Sequence, residues 1–187
     1  VCDNLFPIAR EHGFTFIGGH PMAGIEKSGY AASTDSMFDG AFMILVPDEG
    51  IDKMKLDYVK MFFISIGFHR ITLTTAKEHD EIIAYTSQLA HVVSSAYIKS
   101  PTSVRNLGFS AGSFKDMTRV AFLNEPMWTE LFFQNKEFLL NEVDIFIENM
   151  KQYREALANL DRDKMMSLLA EGKKQRVAAW TAVSQKK

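Results

Sequence analysis

The spacing of apolar positions along the chain changes near residue 76. Before it, short apolar runs are punctuated by Gly, Pro and Asp; after it, the three-four spacing of helices continues almost without a break. The first residues read as the end of a helix. Residues 14–19, with Phe14, Phe16 and Ile17, predict a first strand that leads into a loop rich in Gly and Pro. Residues 41–46 predict a second strand, closed by Pro47, which cannot continue a central strand. Asp52 is placed to cap a helix running to about Ile66, with Met54, Val59, Phe62 and Phe63 on its apolar side and Gly67 as its stop. Residues 70–74, rich in β-branched side chains, predict a third strand. Strand, helix, strand is the succession of a sheet covered by helices.

Residues 76–100 predict one long helix with Ile82, Ile83, Leu89, Val92, Val93 and Ala96 as its core positions, ended by Pro101. A looser segment through Gly108 and Gly112 follows. Asn124 and Pro126 make a helix start. From there Trp128, Leu131, Phe132, Phe138, Leu139, Phe146, Ile147 and Met150 keep helical spacing for more than six turns. Asp161 can cap a last helix through Leu168 and Leu169 to Trp180. Helices this long and this apolar need partners, and a second copy of the chain is the expected one.

Composition narrows the function classes. Of 187 residues, 47% are hydrophobic and 24% charged, an ordinary globular balance. A net charge of −2 and a pI near 6.2 leave no basic footprint for nucleic acid, so an anionic ligand needs local cations. One cysteine, Cys2, excludes an intramolecular disulfide and fits a reducing, cytoplasmic compartment. The apolar runs are far shorter than the ~20 residues that cross a bilayer, and no membrane partner is expected.

Chemistry concentrates in a few places. His20 sits in Gly18-Gly19-His20-Pro21-Met22-Ala23-Gly24, at a strand end, where open α/β sheets place their ligands. A group with a reference pKa of about 6.5 suits acid-base work near neutrality, although a loop histidine can merely cap a strand end. Arg119 follows Lys115 by four residues and Asp116 by three, so the three share a helix face. Such a cluster is either a solvated ion-pair row or a carboxylate-binding fork. Asp80, Ser87 and His91 fall within roughly 20° of one line on a straight helix. They form either a row of inter-helix hydrogen bonds or one wall of a site. The histidines lack metal-ligand spacing, and no metal is expected. Trp128 reads as packing that can also line a pocket, and Gly112 as a turn glycine able to lie close to ligand.

The stretch from Gly18 to Gly24, continued by Ile25-Glu26-Lys27-Ser28-Gly29, resembles the HPMAG-E-SG signature of the prephenate dehydrogenase family. His79-Asp80 and Ser87-Gln88-Leu89-Ala90-His91 resemble that family's paired histidine motifs. Gly112-Ser113-Phe114-Lys115-Asp116-Met117-Thr118-Arg119-Val120-Ala121 resembles its other signature. Gln88 and Ala90 stand where many members have His and Pro, and Ile25 where many have Thr. The resemblance implies an α/β remnant of a Rossmann-type nucleotide-binding domain over residues 1–75 and an all-α substrate-binding and dimerisation domain over 76–187. It implies NAD-dependent oxidative decarboxylation of prephenate, with NADP and the related substrate arogenate as variants, in a homodimer. His20 is then the acid-base residue. His91, Arg119, Glu26, Lys115, Asp116, Gly112 and Trp128 are the substrate-binding set, with His79-Asp80 facing the subunit interface. A G-x-G-x-x-G turn, which would hold the dinucleotide's pyrophosphate, does not occur in the sequence. The isolated chain is therefore expected to bind dinucleotide weakly or not at all and to be inactive alone, as a docking and dimerisation module.

Overall fold

A computed structural model describes residues 1–25 and 29–184, with backbone alone for 182–184. Residues Val1–Leu139 and Leu140–Lys187 are two compact units. In the first, helix α1 (Cys2–Glu11) leads into strand β1 (Ile17–Met22). Strand β2 (Phe42–Pro47), helix α2 (Lys53–Ser65) and strand β3 (Arg70–Leu73) follow. The sheet order is β1-β2-β3, with β1 antiparallel and β3 parallel to β2. The β2-α2-β3 unit is thus the predicted parallel crossover.

The caps behave as their residue types require. Asp52 accepts from the Met54 N–H at 2.8 Å and starts α2. Gly67, at φ 108°, ends that turn in a conformation open to glycine, and a Cβ there would come within 2.5 Å of Asp39 Oδ1. Met43 and Leu45 of β2 pack with Leu56 and Phe68 as the core of this layer. Phe68 stacks on Phe38 at 4.9 Å and meets the edge of Phe63 at 5.6 Å. Met54 and Phe62, expected on the apolar side of α2, are exposed instead. The apolar stripe of that helix is wider than the face the sheet covers, and Leu56, Val59 and Phe63 take the buried positions.

The first strand departs from expectation. It begins at Ile17 and runs on through His20, Pro21 and Met22, expected as loop, and His20 pairs with Ile44 in register. Pro21 is tolerated because, among the described residues, β1 has a partner strand on one side only. Gly18 and Gly19 let neighbours close on the strand: a Cβ on Gly18 would overlap Cys2 Sγ, and one on Gly19 would lie 2.8 Å from Met43 Cε.

Thr75 caps helix α3 (Ala76–Ile83) by accepting from the Glu78 N–H at 3.2 Å. The helix runs on through a wider π segment (Ala84–Leu89) into helix α4 (Ala90–Ile98). Ile83, Ala84, Gln88, Leu89 and Ser94 are its buried residues, while Ile82 is exposed. Helix α5 (Gly112–Thr118), a 3-10 turn (Arg119–Ala121), helix α6 (Glu125–Gln134), helix α7 (Lys136–Ala158) and helix α8 (Arg162–Ser184) complete the chain. Asn124 caps α6 by accepting from the Met127 N–H at 3.1 Å. The long helix expected from Trp128 to Met150 is broken at Asn135, whose side chain turns to hydrogen bonds elsewhere. In the second unit, Leu160 at φ 51° makes the turn between α7 and α8, and Asp161 caps α8. Tyr153 donates to the Leu168 carbonyl at 3.3 Å across this pair. Ile147, Met150, Met166, Leu169 and Val177 remain exposed on the two helices.

Candidate active site

β1 carries His20 to the wall of a cavity of about 660 Å³ in the first unit. Cys2 and Leu5 of α1 line one side, His79, Asp80 and Ser87 another, and Trp128, Leu131 and Asn135 a third. His20 Nδ1 lies 2.8 Å from His79 Nε2, with the rings 5.1 Å apart and inclined by 63°. His79 Nδ1 in turn lies 2.7 Å from Asp80 Oδ1. The three form a chain from the cavity wall to a carboxylate whose side chain is 43% exposed, against 20% for His79. Burial, reinforced by the neighbouring His79, holds the His20 pKa below its ordinary 6.5. At neutral pH His20 is therefore the uncharged imidazole, the form that can accept a proton.

His79 and Asp80 lie beside His20 because α3 begins directly after β3 and its start carries both residues across to β1. Asn135, which the sequence did not single out, braces this wall together with Gln88. Asn135 Nδ2 donates to the Asp80 carbonyl and to Gln88 Oε1, both at 2.8 Å, and Gln88 Nε2 donates to the Leu131 carbonyl at 3.3 Å. The available signal was an Asn inside an otherwise apolar helical run, a residue that competes for backbone groups and breaks helices.

The remaining candidates divide. Trp128 lines the cavity, and His91 packs on it with ring centroids 3.8 Å apart. A carbonyl can only accept, so His91 donates its Nδ1–H to Val120 O at 2.9 Å. Gly112, Lys115 and Asp116 lie at exposed positions on α5, and Arg119 at an exposed position in the turn after it. None of these four is among the described residues lining the cavity with His20. Glu26 lies outside the described residues. A broader hollow of about 730 Å³ borders α2, but its charged side chains are engaged. Asp52 caps the helix and Lys55 donates to Thr15 at 3.1 Å. Among the described residues no group of three His, Cys, Asp or Glu is arranged to hold a metal ion, and no helix is long and apolar enough to cross a membrane.

Known proteins agree with this division into a short sheet and a helical part. A family model described as "Prephenate dehydrogenase, nucleotide-binding domain" matches residues 4–72. One described as "Prephenate dehydrogenase, dimerization domain" matches residues 75–171. The cyclohexadienyl dehydrogenase of Zymomonas mobilis is 34% identical over 173 residues, which cover 88% of this chain and 58% of that protein. The prephenate dehydrogenase of Bacillus subtilis is 31% identical over 157 residues, covering 81% and 42%. A crystal structure of prephenate dehydrogenase from Aquifex aeolicus, in complex with hydroxyphenyl propionate and NAD+, is similar with a TM-score of 0.76 at 29% identity. That match covers 93% of this chain and 62% of the other.

Fold and matches together define the class: an oxidoreductase architecture in which a Rossmann-like nucleotide-binding portion precedes a helical dimerisation domain. The chain belongs to the prephenate dehydrogenase family. It spans 42–58% of the length of the two curated relatives named above.

Proposed function

We propose that the protein is an NAD-dependent prephenate dehydrogenase that converts prephenate to 4-hydroxyphenylpyruvate and carbon dioxide in tyrosine biosynthesis. The observation that carries this reading is a half-buried imidazole held neutral at the wall of a largely apolar cavity wide enough for a six-membered ring. A nicotinamide dinucleotide supplies the hydride acceptor when bound. This chain's residues account for the proton side. As the ring carbon bearing the hydroxyl loses its hydride, the hydroxyl proton moves onto His20. The ring carboxylate then leaves as carbon dioxide, its bonding electrons aromatise the ring, and the proton returns to the ring oxygen. Atoms and charge balance, because the departing hydride is the only net loss besides carbon dioxide. A base so placed is worth ~10²–10⁴ in rate. Orienting the two reactants supplies the larger share.

The substrate's carboxylates need cations, and Arg119 with Lys115 is the proposed source, with Asp116 orienting Arg119, Glu26 joining this charged network as a gate and His91 facing the substrate. The residues present do not provide a cradle for the dinucleotide: backbone N–H groups of a Gly-rich turn at a helix start hold a pyrophosphate, and this sequence contains no such turn. The 187-residue chain alone should therefore show no micromolar NAD binding by calorimetry. The domain division we favour is 1–75 and 76–187, with a cytoplasmic homodimer formed through the helical part. The exposed apolar rows of α7 and α8 suit an interface of that kind.

The test is direct. The full-length protein is mixed with NAD and either prephenate or arogenate, and the reduced-nicotinamide absorbance is followed. Turnover of prephenate supports the assignment. Preference for arogenate, which carries an amine in place of the keto group, moves it to arogenate dehydrogenase; turnover of neither rejects it.

A further inference from the structure

We infer that His79 and Asp80 are positioning residues that fix the tautomer of His20, leaving its Nε2 as the proton acceptor. The inference rests on the functional reading above and adds two residues to it. Asp80 Oδ1 lies 2.7 Å from His79 Nδ1, and an ionised carboxylate can only accept, so that nitrogen carries a proton. In neutral His79 the other nitrogen, Nε2, then holds a lone pair. It faces His20 Nδ1 at 2.8 Å, and two lone pairs at that distance repel, so His20 Nδ1 is the donor. His20 is thereby held as the Nδ1–H form, and its remaining lone pair sits on Nε2. When that nitrogen takes the substrate's hydroxyl proton, the new charge is shared along two short hydrogen bonds toward the carboxylate.

The opposite polarity has a definite consequence. Were His79 doubly protonated, it would donate to both neighbours, and His20 would present Nε2–H to the cavity. That tautomer cannot receive a proton from a hydroxyl. The direction of one hydrogen bond therefore decides whether His20 can act as a base.

Two readouts test this in the full-length protein. Long-range proton–nitrogen correlation spectra at about pH 8, assigned by the signals lost in His20→Asn, should show His20 as the Nδ1–H tautomer and His79 as neutral. In His79→Leu the His20 signals should move to the Nε2–H form. With NAD and substrate, His79→Leu should lower kcat about 100-fold and leave KM within about threefold, the pattern of a group that acts through the base. His79→Gln, whose amide oxygen can still accept from Nδ1–H, should recover kcat to within about tenfold of wild type. Nε2–H on His20 in the wild type, a doubly protonated His79, or unchanged kcat in His79→Leu each overturns the inference. If the wild type turns over neither prephenate nor arogenate, the functional reading fails, while the spectra still decide the tautomer.

Discussion

Asn135→Ala should destabilise the protein more than any exposed substitution, because it orphans a buried group. Asn135 Nδ2 makes two 2.8 Å hydrogen bonds, one to the Asp80 carbonyl and one to Gln88 Oε1. Gln88 is only 6% exposed, and truncating Asn135 removes the protein donor to its Oε1. A net hydrogen bond is worth ~1 kcal/mol, and an unsatisfied buried acceptor costs ~1–3 kcal/mol. The expected loss is about 2–4 kcal/mol. With a urea slope of ~2 kcal/mol/M, the unfolding midpoint falls by roughly 1–2 M. The assay is urea titration of wild type and variant at one protein concentration, so that any dimer contributes equally. Gln88→Met combined with Asn135→Ala should regain much of the loss, since removing both partners leaves little to desolvate. A single-variant midpoint within about 0.3 M of wild type would show that this bridge does not hold the wall.

Three other outcomes bear on chemistry. His20→Asn should lower kcat by ~10²–10⁴ with little change in KM, because a proton acceptor acts in the transition state; steady-state kinetics with normal turnover would remove His20 from the mechanism. Arg119→Ala should instead raise KM by roughly ten- to a hundredfold, the ~1.5–3 kcal/mol of a charged hydrogen bond, and an unchanged KM would make Arg119 a surface residue. Since burial lowers the His20 pKa, the base stays competent below pH 6.5, and the acid limb of kcat/KM should fall below that value. The same shift makes the stability contributed by His20 fully present above 6.5 and lost as pH falls through its folded pKa; an acid limb well above 6.5 would contradict the burial of His20.

Much of the scaffold was legible because it is set by local chemistry. Asp52, Thr75, Asn124 and Asp161 all satisfy helix N–H groups, and Gly67 stops α2 where a positive φ is required. Asp52, Asn124, Asp161 and Gly67 could be read as caps or stops because side-chain caps act within three residues. The continuation of the first strand through His20, Pro21 and Met22 was not legible. Two glycines and a proline disfavour a strand by propensity, but pairing with β2 outweighs that preference. The break at Asn135 was likewise hidden, since its cause lies 47 and 55 residues away in Gln88 and Asp80. The 2.8 Å approach of His20 to His79 was not legible, because two residues 59 apart meet only through the sheet and the start of α3.

The π segment explains why one polar stripe became two sites. On a straight helix Asp80, Ser87 and His91 share a face. A π turn holds more residues than an α turn, so every residue beyond Ala84–Leu89 lags behind the straight-helix phase. Asp80 precedes the segment and Ser87 lies inside it, and both line the cavity. His91 and Ser94 follow it, and both have rotated toward the segment around Arg119, binding Val120 O at 2.9 Å and Met117 O at 2.7 Å. One helix thus serves two purposes along its length. Its first half holds His79 and Asp80 beside His20, and its second half anchors the α5 region that carries Lys115, Asp116 and Arg119. The insertion that makes the π turn costs helix regularity, and it stays in place because Gln88, within it, is locked to Asn135 and Leu131. The wall beside His20 and the segment around Arg119 are in this way both tied to one continuous helix, with the π segment setting the phase between them.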